Sequence, residues 1–531
     1  MYHKRARPGS EDIPPHQRLQ MGLEDMFLRN TISGQETHEM LQYAEAAGAS
    51  KDRRASRTKA GKNSKRHLLL RLERGSKWPP RYMAKVRVFD PKTQNETTQE
   101  IAMLLPHEII KCMQEKGATR DLLSTENLSR QALSHLEETR RQLGTDNVLG
   151  LGFWGDGVPC NWDRTESVDV LSMSFPGVAS SHKDLRIPLA CIKKRFQIKN
   201  TTLDDIYEIL TWSLRLAAEG KCPSTRHDGT AFNQTDRKRK CWSEKDIGLR
   251  AVLVEVRGDW AFFKLTFRFP GWREKRGCCW LCEATPKDTA DVSSGASWRS
   301  RRRDKWNMLH YLLSSPHGLC PLLGAPFVST DIFCIDWLHA VDLGVAADFS
   351  GNILVMILPH LEGEDQHAKC KTLYLKLKAF YRTNATDSQF DHLTPTMLQQ
   401  PNKSPKLRGK AAEIRGIVPF LAVLADEFLA SDGQEGAARQ AAHELAACYQ
   451  NLAASNFDRE SLASHCRRFC QLYKVLNTRN PDRLAWVLKP KLHLFQELCE
   501  MQQEKPSTFW TYRDEDFGGT IAQLSRSKGG A

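Results

Sequence analysis

The sequence predicts a mixed α/β fold with a long irregular insertion and a helical C-terminal region. Three observations point there. Strand-like runs follow one another over 147–154, 167–175 and 185–192, an amphipathic helical pattern comes next over 201–221, and an apolar run returns over 251–256.

In chain order, residues 1–75 read as a basic, largely disordered arm. The stretch KDRRASRTKAGKNSKR at 51–66 carries eight basic residues and one acid, half of the chain's net charge of +14. Such a run buries no core. A solvated tail is its plain reading; a nuclear localisation signal or a non-specific DNA-binding arm are the functional ones. One short helix is expected near Glu24–Arg29. Residues 76–145 form a mixed region, with a strand over MAKVRVFD (83–90) and helices over Glu108–Lys116 and Leu128–Leu143.

Residues 146–267 hold the first part of the core. NVLGLGFW is a buried strand ending at Gly155-Asp156-Gly157; SVDVLSMSF alternates as a second strand, and LRIPLACI is a third. The helix over 201–221 takes Thr202 as N-cap and ends near Gly220. AVLVEV at 251–256 is the returning strand. This order is that of an RNase H-like core, in which the first and fourth strands lie side by side. Their ends would bring together Asp156 and Asp259, 103 positions apart. Residues 268–406 are too long and irregular for a connecting loop and read as an inserted subdomain. Residues 407–531 are the helical part of the core and a C-terminal segment, with amphipathic stripes over 416–430 and 435–454.

Bulk numbers narrow the function classes. The chain has 531 residues, 40% hydrophobic residues and 13 Trp, enough for a large core. A net charge of +14 favours an acidic partner, with nucleic acid ahead of an anionic membrane. Fifteen scattered Cys and no signal-peptide pattern argue against a disulfide framework and for a reducing intracellular compartment. No uncharged apolar run reaches membrane-spanning length, so no membrane partner is expected. There is no Walker A motif, dinucleotide-binding glycine pattern or GxSxG elbow.

Two sets of residues carry candidate chemistry. Asp156 and Asp259 each follow an apolar strand, and each has an ordinary Asp-Gly or Gly-Asp turn as its plain reading. Paired at one sheet edge, they suit two-metal phosphodiester chemistry, in which hard Mg²⁺ ions need carboxylate oxygens. A third acid would come from a helix beside the strands. Glu413 is the best-placed candidate, with Asp426 and Glu427 as competitors, and an acid complementing the dipole of its own helix is the plain reading.

The second set is Cys279-Trp-Leu-Cys282, whose spacing suits a structural Zn²⁺ knuckle. His339 is a further ligand, and Asp336 either ligates or orients His339. Cys334, His317 and Cys320 are rival ligands, and the adjacent Cys278 leaves the thiol pair ambiguous. Asp336 and His339 read plainly as an acid and a buried His on the helix over 337–349. For nucleic acid, WRSRRRDKW (298–306) offers Arg299, Arg301, Arg302 and Arg303 between two Trp, and DRKRK (236–240) offers Lys238 and Arg239.

Together these motifs resemble the eukaryotic cut-and-paste DNA transposases of the DDE/RNase H-like class, of CACTA and Kyakuja–Dileera–Zisupton type. The resemblance rests on GFWGDGVPCNWDRTESVDVLSM, on RGDWAFFKLTFRFPGWREKRGCCWLC, on IDWLHAVDLGV and KAAEIRGIVPFL, and on the later KPKLHLFQEL and FWTYRDEDFGG. It covers roughly 145–520. It implies that Asp156, Asp259 and Glu413 are the metal-binding catalytic triad, and that Cys279, Cys282, Asp336 and His339 form the knuckle of the insertion. It also implies Mg²⁺-dependent DNA cleavage and strand transfer in the nucleus. The N-terminal region departs from the family in lacking a zinc-finger or helix-turn-helix pattern. The alternative is a degenerate or host-adopted copy, a catalytically inert zinc- and DNA-binding protein on the same fold. A homo-oligomer is compatible with either.

Overall fold

The structure is a computed structural model. It describes residues 14–527 apart from 29–30, 50–67, 69–77, 119–120, 179–184, 235, 276, 315–317, 387, 481–483 and 503. The basic run at 51–66 therefore lies outside the described residues, as does His317. Within the expected N-terminal arm, two helices form instead of one: α1 (Pro15–Leu28) and α2 (Gly34–Ala46). Ser33 caps α2 in a reciprocal box with Glu36. The pair buries Leu23, Phe27 and Leu41 together with Leu68.

Strand β1 (Tyr82–Asp90) alternates buried and exposed residues and pairs antiparallel with β2 (Asn95–Met103). The partner strand is almost wholly exposed, so no apolar pattern marks it in the sequence. Helix α3 (Pro106–Glu115) follows, then α4 (Arg130–Leu143), capped by Ser129 at one end and ended by Gly144 in the left-handed conformation at the other.

The central sheet is mixed. Strands β3 (Val148–Pro159), β4 (Ser167–Ser174) and β5 (Arg186–Lys193) form an antiparallel meander, and helix α5 (Thr202–Glu219) carries the chain to β6 (Arg250–Arg257). The strand order is β5-β4-β3-β6, and β6 runs parallel to β3. Gly220 ends α5 at φ 76°, but the N-cap is Thr201 rather than Thr202. The Thr202 hydroxyl instead donates to the Arg87 carbonyl and so ties α5 to β1.

Strand β3 does not stop at Asp156. It continues to Pro159, and Asp156 pairs with Val170. The two flanking glycines differ in how far the packing requires them. A Cβ on Gly155 would meet the Phe262 ring at 2.4 Å, so that glycine is required, whereas one on Gly157 would meet the flexible end of the Lys194 side chain, which can move aside.

After β6 the chain enters helix α7, where α6 is the short helix Arg237–Trp242 and α7 spans Trp260–Phe267. Among the described residues most of 268–335 is irregular, with short 3-10 turns and one α-helix, α8 (Lys305–Leu313). A long helix, α9, then covers Leu338–His360, wide-turned over Leu338–Ala346 and α-helical over Ala347–Ile357. It is long and apolar enough to cross a membrane, yet 83% of its apolar window is buried inside the protein. Its buried acids, Asp342 and Asp348, are paired with partners from other helices, as befits a core helix. Helices α10 (Gln366–Thr383), α11 (Ala411–Phe428), α12 (Gly433–Ala453), α13 (Arg459–Arg479) and α14 (Pro490–Gln496) surround it. One continuous core joins the sheet, the insertion and these helices.

The last helix, α15 (Tyr512–Ser527), returns to the sheet and lies on β3 and β4, burying Trp154, Val158, Val168 and Val170 with Ala522. Two devices fix its start. The Tyr512 hydroxyl donates to buried Asp342 at 2.6 Å. Asp514, fully buried, accepts from Arg186 of β5 at 2.5 Å and lies 3.5 Å from Arg257 of β6.

Candidate functional site

The ladder between β3 and β6 places the first two acids. Trp154 pairs with Arg257, and Asp156 and Asp259 each stand two residues further on. Asp156 is still on β3 there, whereas β6 has ended and Asp259 opens the next helix; the two carboxylates are near enough for the charge of one to act on the other. The expected Gly-Asp turn at 258–259 is a helix start. Asp259 is the N-cap of α7, and its Oδ1 accepts from the Phe262 amide at 2.6 Å. Asp156 Oδ1 accepts from the Gly157 amide at 2.7 Å.

Burial, reinforced by the Asp259 charge, raises the Asp156 carboxyl to about 6. A third acid shares the site, and it is Glu515 in the first turn of α15. Burial pushes Glu515 up to about 8, with the Asp156 charge adding to the shift and the His339 cation opposing it. Glu515 Oε1 is buried without a hydrogen-bond partner and lies 3.9 Å from His339 Nε2.

His339 supplies positive charge. Burial works against its charged form, but the hydrogen bond to Asp336 at 2.6 Å and the Asp336 charge prevail, and the imidazole is raised to about 9. Asp336 is itself fully engaged. It accepts from the Thr511 amide at 2.9 Å, the Thr511 hydroxyl at 2.8 Å and the His339 amide at 3.0 Å. The sequence placed Asp336 and His339 with the thiols; the structure instead puts them beside Asp259 and Glu515.

Glu413 does not join these acids. Its Oε2 accepts from the Lys410 amide at 2.7 Å and its Oε1 lies 3.7 Å from Lys410 Nζ, both at the start of α11. The plain reading of that residue, a carboxylate at the N-terminus of its own helix, is what the fold uses. Asp426 is engaged by Arg439 and His443, and Glu427 by Lys376.

Asp156, Asp259, Glu515 and Asp336 share this region with His339, and Lys194 and Lys491 add positive charge near Asp156 and Asp259; a group of carboxylates of this kind can take up protons or a divalent ion. The oxygens of Asp156, Asp259 and Glu515 do not all fall within 4.8 Å of one another, the spacing of a single shell. Asp156 is charge-coupled to both of the other acids, which suits a shared ligand between two ions.

The thiols form a separate centre. Cys279, Cys282, His493 and Glu497 are all buried, each offers one ligand atom, and these atoms lie within 4.8 Å of one another. This cluster could hold a metal ion. Cys282 Sγ is 3.3 Å from His493 Nε2, and the Leu281 amide donates to Cys279 Sγ at 3.4 Å. The hydrogen bond with Cys279, and then burial, push the Cys282 thiol far above its usual range. His493 lies in α14 and Glu497 is the first residue of the wide helical turn that continues it, four positions on, so the two share a face. Their spacing, His-x-x-x-Glu within KPKLHLFQEL, is the one sequence signal for them. It is easily missed because His493 lies 211 positions from Cys282. The rivals are elsewhere: Cys334 bonds to the Ile332 carbonyl, and Cys320 is buried beside α5. All fifteen cysteines are free.

The arginines expected to meet DNA are engaged inside the protein. Arg302 donates to both oxygens of Glu497 at 2.8 Å, Arg299 pairs with Glu500 and stacks on Trp298, Arg301 pairs with Asp288, and Arg303 donates to the Cys282 carbonyl. The cluster therefore encloses the thiol centre, with Trp298 edge-on to His493 at 4.5 Å. Arg239 is only 4% exposed and pairs with Glu108 and Asp236, so it is not presented to a partner. Lys238 lies over Trp242 and donates to Cys112.

No family model matches the chain, and no curated protein matches its sequence.

Proposed function

We propose that the β3-β4-β5-α5-β6 unit with α15 is an RNase H-like core of transposase type, acting on DNA phosphodiesters in the nucleus. One observation carries this reading. Asp156 on β3 feels the charge of Asp259, which stands just past the end of the parallel neighbour β6, and Glu515 of α15 feels the charge of Asp156. The triad in this reading is Asp156, Asp259 and Glu515, with Glu515 taking the place first given to Glu413. Two Mg²⁺ ions held there would activate the attacking oxygen and stabilise the leaving one. Asp156 would be the shared ligand, and Asp259 and Glu515 would each complete one side. His339, held as a cation by Asp336, would balance the charge of Glu515 and orient it. Water would attack the phosphorus of one phosphodiester and expel its 3′-oxygen, leaving a 3′-hydroxyl and a 5′-phosphate; that 3′-hydroxyl would then attack the phosphorus of a second phosphodiester and expel the 3′-oxygen there.

Zn²⁺ is the proposed occupant of Cys279, Cys282, His493 and Glu497, since two thiolates and an imidazole form a borderline-soft donor set. Arg302 would orient Glu497 from outside the shell. This centre would hold the insertion onto α14 and leave the chemistry to the carboxylates.

A strand-cleavage assay on duplex DNA with Mg²⁺ or Mn²⁺ tests the reading. Wild-type protein should nick or cleave, and Asp156→Asn should lose that activity by a factor of a hundred or more, roughly the loss of a metal ligand. Equal cleavage by both would overturn it, and cleavage by neither would leave the inert zinc- and DNA-binding protein as the better account.

A further inference from the structure

We propose that the cavity beside Asp259 captures one unpaired nucleotide of the DNA strand next to the bond being cut. The inference rests on the reading of the chain as a DNA-processing protein and adds what form of DNA the site receives. The cavity measures about 580 Å³, and both Asp259 and His339 line it. A nucleotide bound there would be an immediate neighbour of the carboxylate centre.

The walls have the two chemistries a nucleotide needs. Trp260, Trp272 and Trp280 form an aromatic cluster, with Trp260 edge-on to Trp272 at 5.8 Å and to Trp280 at 6.0 Å. Trp272 is 37% exposed, with the Lys264 ammonium over its ring 5.2 Å from the centroid, so a base stacking there would displace or share that cation. Trp280 keeps a buried indole N–H without a partner. The rest of the lining is mixed: Lys406, Lys489 and Lys491 bring positive charge, Asp336 and Asp348 negative charge, and Ile335 and Leu494 apolar surface. Lys489 donates to Asp348, Lys406 to the Leu343 carbonyl and Lys491 to the His339 carbonyl. An ammonium has three donors, so each lysine retains capacity for a phosphate oxygen.

The bases of an intact duplex are stacked inside it and cannot enter a concave site. A base must be unpaired or extruded to reach an aromatic wall. Stacking on aromatic side chains is tolerant of base identity, so the pocket would read the unpaired state rather than the sequence.

The test uses the full chain and fluorescence anisotropy on three labelled duplexes: blunt, with a two-nucleotide unpaired end, and with that end made abasic. Wild type should bind the unpaired end about tenfold more tightly than the blunt one, the order expected of one stacked base. Abasic substitution, which leaves the protein untouched, should erase the preference, and so should Trp272→Ala. Trp162→Ala, which removes an indole 79% exposed on the β3–β4 turn, should keep it. Equal affinity of wild type for all three duplexes would overturn the inference alone, whereas no binding to any duplex would overturn the DNA reading beneath it. Full competition by deoxynucleoside monophosphate at micromolar concentration, with no preference for unpaired ends, would assign the cavity to free nucleotide and overturn the inference as well.

Discussion

Asp514 and Arg186 are joined across 328 positions by an ion pair of 2.5 Å, buried against the edge of the sheet. The neighbouring Glu515 owes its place beside Asp156 to this contact. Asp514→Ala would leave Arg186 and Arg257 as buried charges without their shared partner. The expected cost is about 3–5 kcal/mol in equilibrium unfolding. Asp516→Ala, one turn-position away and partly exposed, should change stability far less.

The two acids proposed as the third carboxylate can be separated directly. Glu515→Gln should abolish DNA cleavage, while Glu413→Gln should retain it. Glu413→Ala should instead lower stability by about 1 kcal/mol, the usual cost of a lost N-terminal helix cap. Cleavage lost in Glu413→Gln with normal stability would return the role to Glu413.

The carboxylate centre also sets a pH dependence for the metal-free protein. Asp156 is raised to about 6, Glu515 to about 8 and His339 to about 9 in the folded state. A group with a raised folded pKa stabilises the fold below its unfolded pKa, and that contribution is lost as pH rises through the folded value. The three windows run from 3.8 to about 6, from 4.5 to about 8 and from 6.5 to about 9. Thermal stability in chelator should therefore fall steadily from pH 5 to pH 9. Glu515→Gln should flatten the fall between pH 5 and 8, and added Mn²⁺ should restore stability most at the alkaline end. A profile unchanged by Glu515→Gln would show that this carboxyl is not held protonated.

Metal analysis distinguishes the two ligand sets for zinc. His493→Ala and Cys282→Ser should drop zinc from about one equivalent per chain to near none, with a lowered Tm. His339→Ala should keep its zinc. The reverse pattern would restore the pairing of the thiols with Asp336 and His339.

Much of the core was legible because its burial is periodic. The runs that became β3, β4, β5 and β6, the helix α5 and its stop at Gly220 all follow from apolar spacing and a left-handed glycine. What escaped depends on contacts between distant segments. β2 is held by hydrogen bonds to β1 rather than by burial. The strand through Gly155-Asp156-Gly157 resembles a turn locally, and only the close approach of Phe262 explains Gly155. Glu515 and His493 lie in segments that the sequence marked only by resemblance, FWTYRDEDFGG and KPKLHLFQEL, and Asp156 and Cys282, which they join, are far away in the chain. The arginines of WRSRRRDKW looked available because composition cannot show that Glu497 and Glu500 face them.

The central claim is that Asp156, Asp259 and Glu515 form one divalent-ion centre. A titration with Mn²⁺, read as free ion by electron paramagnetic resonance on zinc-loaded protein with duplex DNA present, tests it most directly. Wild type should bind about two ions per chain, as expected of a two-metal site, and Asp156→Asn should bind neither tightly. Identical binding curves for the two proteins would contradict the claim.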